Sequence, residues 1–193
     1  MFQGMLRERN LPKLLRRNEM LNVLLEEEYG HLPQKPTNLS WKVEENIVRN
    51  FCAGKAVLNK ITITCQIGEK VFSFPFCLAL PTAEGRHPFF IHINFRDSVP
   101  DRYMPTEELI DNGFAVFSFC YKDVTSDSDD FTDGLAGVLY ENGERKPNDT
   151  GKIAMWAWAA QRVMDYAQTL DDVLDLKNSI VCGHSRLGKT ALL

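Results

Sequence analysis

Two stretches of this chain are apolar at odd and even positions alike: PFFIHINF (88–95) and FAVFSFCY (114–121). A strand with one wet face alternates; a strand apolar on both faces has to be covered on both sides. The stretches are separated by PTEELIDNG, a short helix closed by Gly113, and followed by GKIAMWAWAAQRVMDYAQTL. The latter is a strong helix, with Met155, Trp158, Arg162 and Tyr166 near one line. A third apolar strand, NSIVCG, follows, and then the opening of another helix. Strands alternating with helices in this way indicate a parallel sheet with helices on its faces.

Upstream the rhythm differs. KAVLNKITITCQIG and KVFSFPFCLALP, joined at Gly68-Glu69, read as an antiparallel pair over 54–80. Pro75 marks an edge or a bulge in the second strand. Residues 11–28 carry Leu14, Leu15, Met20, Leu21, Leu24 and Leu25 at helical spacing. Their charges run basic to acidic, against the helix dipole, so packing is expected to hold that helix in place. Gly30, Pro33 and Pro36 end it.

The length of 193 residues suggests one domain, and 44% hydrophobic with 25% charged residues is ordinary globular composition. A net charge of −4 argues against a general nucleic-acid binder. No apolar run approaches 18 residues, and the N-terminus lacks the apolar core of a signal peptide; no membrane partner and a cytoplasmic location are expected. The five cysteines (52, 65, 77, 120, 182) form no C-x-x-C pair and read as reduced thiols, not as a disulfide framework or zinc site.

The corner after the third apolar strand, GHSRLGKT (183–190), satisfies two patterns. As G-x-x-x-x-G-K-[ST] it is a phosphate-binding loop, with Gly183, Gly188, Lys189 and Thr190 on phosphates and magnesium and Asp123 as the acidic partner. As a strand-to-helix turn carrying Ser185 it is a nucleophile elbow. Leu187 stands where G-x-S-x-G asks for a small residue. Position favours the elbow: a phosphate loop normally follows the first strand of its domain, whereas this corner comes late. The loop after PFFIHINF, RDSVPD, is placed to give a second oxyanion N–H. The new helix sets its positive end beside Ser185.

GHSRLGKTAL, with AMWAWAAQRVMDYAQTLDDVLDLKNSIVC before it, resembles the glucuronoyl-esterase-like branch of the α/β-hydrolases, the fifteenth carbohydrate-esterase family. That family's elbow reads G-C-S-R-x-G-K; Gly183, Ser185, Arg186, Gly188 and Lys189 match, and His184 replaces the Cys. RRNEMLNVLLEEEYGHLP and the INF of 93–95 are similar as well. The resemblance implies an α/β fold: one incomplete α/β-hydrolase domain over 1–193, with an N-terminal helical segment (1–40) and the first part of the sheet up to the elbow (54–193). It implies serine ester hydrolysis without cofactor or metal on a carbohydrate ester, glucuronoyl or acetyl, of xylan type. Ser185 would attack the carbonyl, Arg186 stabilise the oxyanion and Lys189 contact the sugar. The sequence departs after Phe95, where RDSVPDRY replaces the family's glycine-rich loop.

In such hydrolases the acid and the His follow the Ser, which would place both beyond residue 193. The chain is therefore expected to be a fragment, a frameshifted product or one piece of a longer gene, inactive alone, with its last strand exposed as an edge that invites self-association. His31, His87, His92 and His184 read as surface or core histidines. The acids of DVTSDSDDFTD lack the Gly and Glu of a calcium loop and read as a solvated loop lining the cleft. Trp156 and Trp158 are candidates to touch a sugar, with core packing the better reading for Trp158. The rival readings are the nucleotide-binding loop and a non-catalytic remnant.

Overall fold

The computed structural model describes residues 15–193. A six-stranded sheet runs β1 (Asn38–Glu44), β2 (Ala56–Ile67), β3 (Lys70–Pro81), β4 (His87–Asn94), β5 (Ala115–Cys120) and β6 (Leu174–Gly183). The spatial order is β1-β2-β3-β5-β4-β6. The first three strands and the β3–β5 pair are antiparallel, whereas β4 is parallel to both β5 and β6. The expected hairpin feeding a parallel β-α-β-α-β run is thus present. β1 is a strand the sequence reading passed over: only Leu39 and Val43 in NLSWKVE are half-buried, so its alternation is faint.

The continuous apolar runs are explained by two cores. Phe89, Ile91, Ile93, Ala115, Phe117 and Phe119 point to the face covered by α4 (Lys152–Ala167). Val116 points to the other, against Met104 and Ile110, the latter in the short helix Thr106–Asp111 (α2). Both tryptophans of α4 are fully buried, Trp156 donating to the Thr125 carbonyl (3.2 Å) and Trp158 to that of Gln34 (3.0 Å). Neither touches a sugar, because their indoles fill the space between helix and sheet. Met155, Trp158, Arg162 and Tyr166 are all buried; Arg162 is sustained there by Asp165 at 2.7 Å and by the Trp158 ring.

Pro75 faces Thr62 in an unbroken register, so there is no bulge. Its other side lies where β3 has parted from β5, whose pairing covers only Cys77–Ala79. A missing N–H costs nothing there. A cavity of about 300 Å³ fills the gap, lined among others by Lys60, Asp97 and Asp123.

The N-terminal helix is helical over 15–24 (α1) and continues as Leu25–Tyr29; positions 11–14 of the expected helix lie outside the described residues. Packing holds it only in part: Leu15, Met20 and Leu24 are exposed, whereas Leu21, Leu25 and Tyr29 are half-buried. Polar ties add to this: Asn148 donates to Glu26 (2.8 Å) and Lys189 to Glu28 (3.3 Å). Among the described residues β6 is an outer strand, with Ile180 and Val181 each 44% exposed. No described helix is long and apolar enough to cross a membrane.

Candidate active site

β4, β5 and β6 end side by side, with Asn94 opposite Cys120 and Ile93 opposite Gly183. The crevice outside the carboxyl ends of parallel strands is where ligands bind in such sheets. Three segments meet there: the loop after β4, the loop after β5, and the turn from β6 into α5 (Arg186–Leu192).

The turn is sharp because of Ser185, with φ 58° and ψ −123°. Asn50, Cys52, Ala53 and Asn142 also have positive φ, but their ψ of 19–46° lies in the ordinary left-handed helical well. Ser185 is outside that well, a conformation that costs a non-glycine residue about 1–3 kcal/mol. Strain of this kind lifts a nucleophile above its sheet. Ser185 is exposed, and among the described residues its hydroxyl carries no hydrogen bond.

Packing accounts for the unusual spacing of the motif. A Cβ on Gly183 would collide with the Leu187 carbonyl oxygen, and one on Gly188 would stand 3.2 Å from the Gly183 carbonyl oxygen. The second small residue therefore belongs three places after Ser185, and Leu187 is free to bury its side chain completely in the main core.

The same geometry removes the phosphate-loop reading. The helix begins at Arg186, so Gly188, Lys189 and Thr190 lie within it and do not wrap an anion. The Thr190 hydroxyl, buried, donates to the Arg186 carbonyl at 3.1 Å, and Lys189 is drawn to Glu28. Asp123 opens into the β3–β5 cavity, where burial and then the neighbouring Asp97 push its carboxyl above the ordinary aspartate range.

Arg186 crosses the strand ends. Its guanidinium lies 5.2 Å from the Phe95 ring and 5.8 Å from the Tyr121 ring, and Nη1 pairs with Asp127 at 2.9 Å. Its backbone N–H, the group that follows the nucleophile, makes no hydrogen bond among the described residues. On the other side, RDSVPDRY brings in Tyr103, stacked on the His184 ring (5.5 Å, 12°), with Arg96 and Arg102 over the tyrosine at 4.9 and 5.3 Å. Asp101 fixes this loop by accepting from Arg96 Nε (2.7 Å) and the Tyr103 N–H (3.2 Å). Burial acts to raise its pKa, but the bonds from Arg96 and Tyr103 outweigh it and hold the carboxyl below the ordinary range.

The acidic loop exposes Asp127, Ser128, Asp129 and Asp130, as its composition suggests, and is tied down from beneath. Lys152, buried at the start of α4, donates to Thr125 Oγ1 (2.9 Å), the Asp130 carbonyl (2.6 Å) and Asp133 (3.3 Å). A short helix, Gly134–Leu139 (α3), follows the acidic loop. The sequence reading placed the acidic loop, Asp127 included, along the cleft, and Asp127 does meet Arg186 there; it did not single out Lys152, for which a lysine opening an otherwise apolar helix was the available signal.

No histidine is bonded to Ser185. His31 pairs with Glu26, His87 bonds the carbonyls of Gly113 and Ala83, His184 is stacked, and His92 is buried mid-strand, where burial lowers its pKa. The described residues hold no metal-binding cluster of His, Cys, Asp and Glu.

A family profile described as glucuronyl esterase, fungi, matches residues 63–193, more than half of the chain and all of the strand-turn-helix corner. The chain belongs to the glucuronyl esterase family. It is 35% identical over 88 residues to carbohydrate esterase MZ0003 from an unknown prokaryotic organism, covering 45% of this chain and 20% of that protein. It is similar to a family-15 glucuronoyl esterase from Teredinibacter turnerae (TM-score 0.74, 28% identity, 91% of this chain and 47% of that one). A glucuronoyl esterase from Solibacter usitatus gives TM-score 0.74 and 25% identity over 92% of this chain and 53% of that one. The chain thus spans about half the length of these solved structures. The mixed sheet with flanking helices is the α/β-hydrolase arrangement expected from sequence.

Proposed function

We propose that this chain carries the nucleophile of a serine esterase acting on carbohydrate esters, of glucuronoyl or acetyl type on xylan-like sugars. The observation that carries the reading is the backbone of Ser185, strained at φ 58° and ψ −123° above the end of β6. Attack of Ser185 Oγ on the ester carbonyl forms the C–O bond of an acyl-enzyme; the bond to the alcohol breaks, and the alcohol leaves with a proton. The negative oxygen of the tetrahedral intermediate faces the Arg186 N–H and guanidinium. Lys189, on the same turn and half-exposed, is the group for a sugar hydroxyl.

Activation of Ser185 needs a base, and the four histidines of this chain are otherwise engaged or remote. Turnover is therefore expected to depend on a base from outside these 193 residues. Reaction with a fluorophosphonate probe in the presence of added imidazole, which stands in for the missing base, mapped to Ser185 and absent in Ser185→Ala, tests the nucleophile. Failure to label even with imidazole would sink the reading. Aryl acetate hydrolysis by the 193-residue chain, abolished in Ser185→Ala, would overturn the need for an outside base. The exposed β6 edge is the surface proposed for self-association, which Val181→Lys should weaken in sedimentation velocity.

A further inference from the structure

We infer that Asp127 is a positioning residue for Arg186, and that Lys152 acts on the site through it. The kinetic arm of this inference rests on the esterase reading above; the chemical-modification arm does not.

An arginine side chain one residue beyond an exposed turn has many rotamers, and a freely moving guanidinium stabilises an oxyanion poorly, because ordering it costs up to about 2 kcal/mol. Here three contacts limit it. The Phe95 ring at the end of β4 and the Tyr121 ring at the end of β5 lie near it, and the Asp127 carboxylate takes Nη1 at 2.9 Å. The first two are anchored by the sheet: Tyr121 is buried and packs edge-on to Trp156, with centroids 5.0 Å apart. Asp127 lies in a stretch of serines and aspartates with no apolar anchor of its own.

The anchor is electrostatic and lies beneath the loop. Lys152 ties Thr125, two residues before Asp127, to Asp130, three after it. Asp133 closes the loop from the far side by accepting from the Thr125 hydroxyl (2.9 Å) and the Ser126 N–H (2.9 Å). The Phe131 ring lies 4.6 Å from the same ammonium, and Trp156 takes the Thr125 carbonyl. The residues flanking Asp127 are thus held on both sides by one buried cation, leaving the Asp127 carboxylate directed at Arg186. Serines and aspartates that read as solvated composition act as a strut. It connects the first turn of α4 to the residue after the nucleophile.

Two measurements on the 193-residue protein test this. Phenylglyoxal modification of Arg186, followed by peptide mass spectrometry with Arg102 as internal control, should speed up about two- to fivefold in Asp127→Asn. That is the range for loss of a partly exposed ion pair. Lys152→Met should do the same without touching Arg186; Lys152→Arg, which keeps the buried cation if Met impairs folding, should move Arg186 less. In fluorophosphonate labelling with added imidazole as the base, Asp127→Asn should lower the limiting rate at saturating probe and leave the half-saturating concentration unchanged, with Asp127→Glu recovering most of the rate. Unchanged Arg186 modification in Asp127→Asn overturns the inference whether or not Ser185 reacts. Faster modification with no labelling of Ser185 in any variant, even with added imidazole in place of the missing base, upholds the strut and removes the esterase reading.

Discussion

Two turns of this molecule carry glycine for opposite reasons. In the β2–β3 hairpin, Gly68 has φ +58°, and a side chain there would meet nothing within 4 Å. The backbone sign alone selects the residue. At the β6–α5 corner the glycine, Gly183, has no positive φ; it is selected by crowding against Leu187. The position that does have positive φ, 185, holds serine. A fold optimised only for stability would put glycine there too. The corner keeps the strain and a hydroxyl at its apex.

The largest effect that would break this contrast is chemical. Ser185→Gly should abolish imidazole-assisted fluorophosphonate labelling, while Gly68→Ala leaves it intact. Next, Gly183→Ala should destabilise the protein by about 3 kcal/mol in urea unfolding, since the colliding atom is backbone and has nowhere to go. Asp101→Asn should cost about 2 kcal/mol near pH 7, because a buried, charge-assisted pair is lost beside the Tyr103–His184 stack. The sign follows from its lowered folded pKa. Its contribution is complete above the unfolded value of about 3.9 and fades as pH falls through the lower folded one. The acid-side loss of stability should therefore flatten in Asp101→Asn. Gly68→Ala should cost about 1 kcal/mol, the left-handed penalty without crowding. Ser185→Gly should raise stability by about 1 kcal/mol, strain relieved less the added chain entropy. A loss instead would mean that the serine is not strained.

The parallel strands and α4 were legible because burial on both faces leaves an unmistakable run of apolar residues: Phe89 to Ile93, Ala115 to Cys120. β1 was not, since an outer strand half-buries only Leu39 and Val43. The N-terminal helix was legible as a helix and only in part in its support. Leucines at helical spacing fit a buried stripe, yet Leu15 and Leu24 are exposed, and Glu26 and Glu28 add polar contacts. Ser185, Arg186 and Lys189 are adjacent in the chain, so one short motif exposed all three. Asp127 and Lys152 are separated from them in the chain and stand in segments whose composition does not single them out.

The sequence by itself determined the class of sheet, the corner and the candidate nucleophile, because periodicity and a contiguous motif are local properties. Position along the chain already favoured the elbow over the phosphate loop for GHSRLGKT; what it left open is how its arginine is held. Only the tertiary structure decided the latter, and it added a geometric reason against the phosphate loop. Starting the helix at Arg186 draws Lys189 and Thr190 away from any common anion, and folding the β5 loop over α4 brings a buried ammonium under the carboxylate that meets Arg186. Both depend on where a turn points and on what a distant segment packs against, and neither is encoded in spacing along the chain.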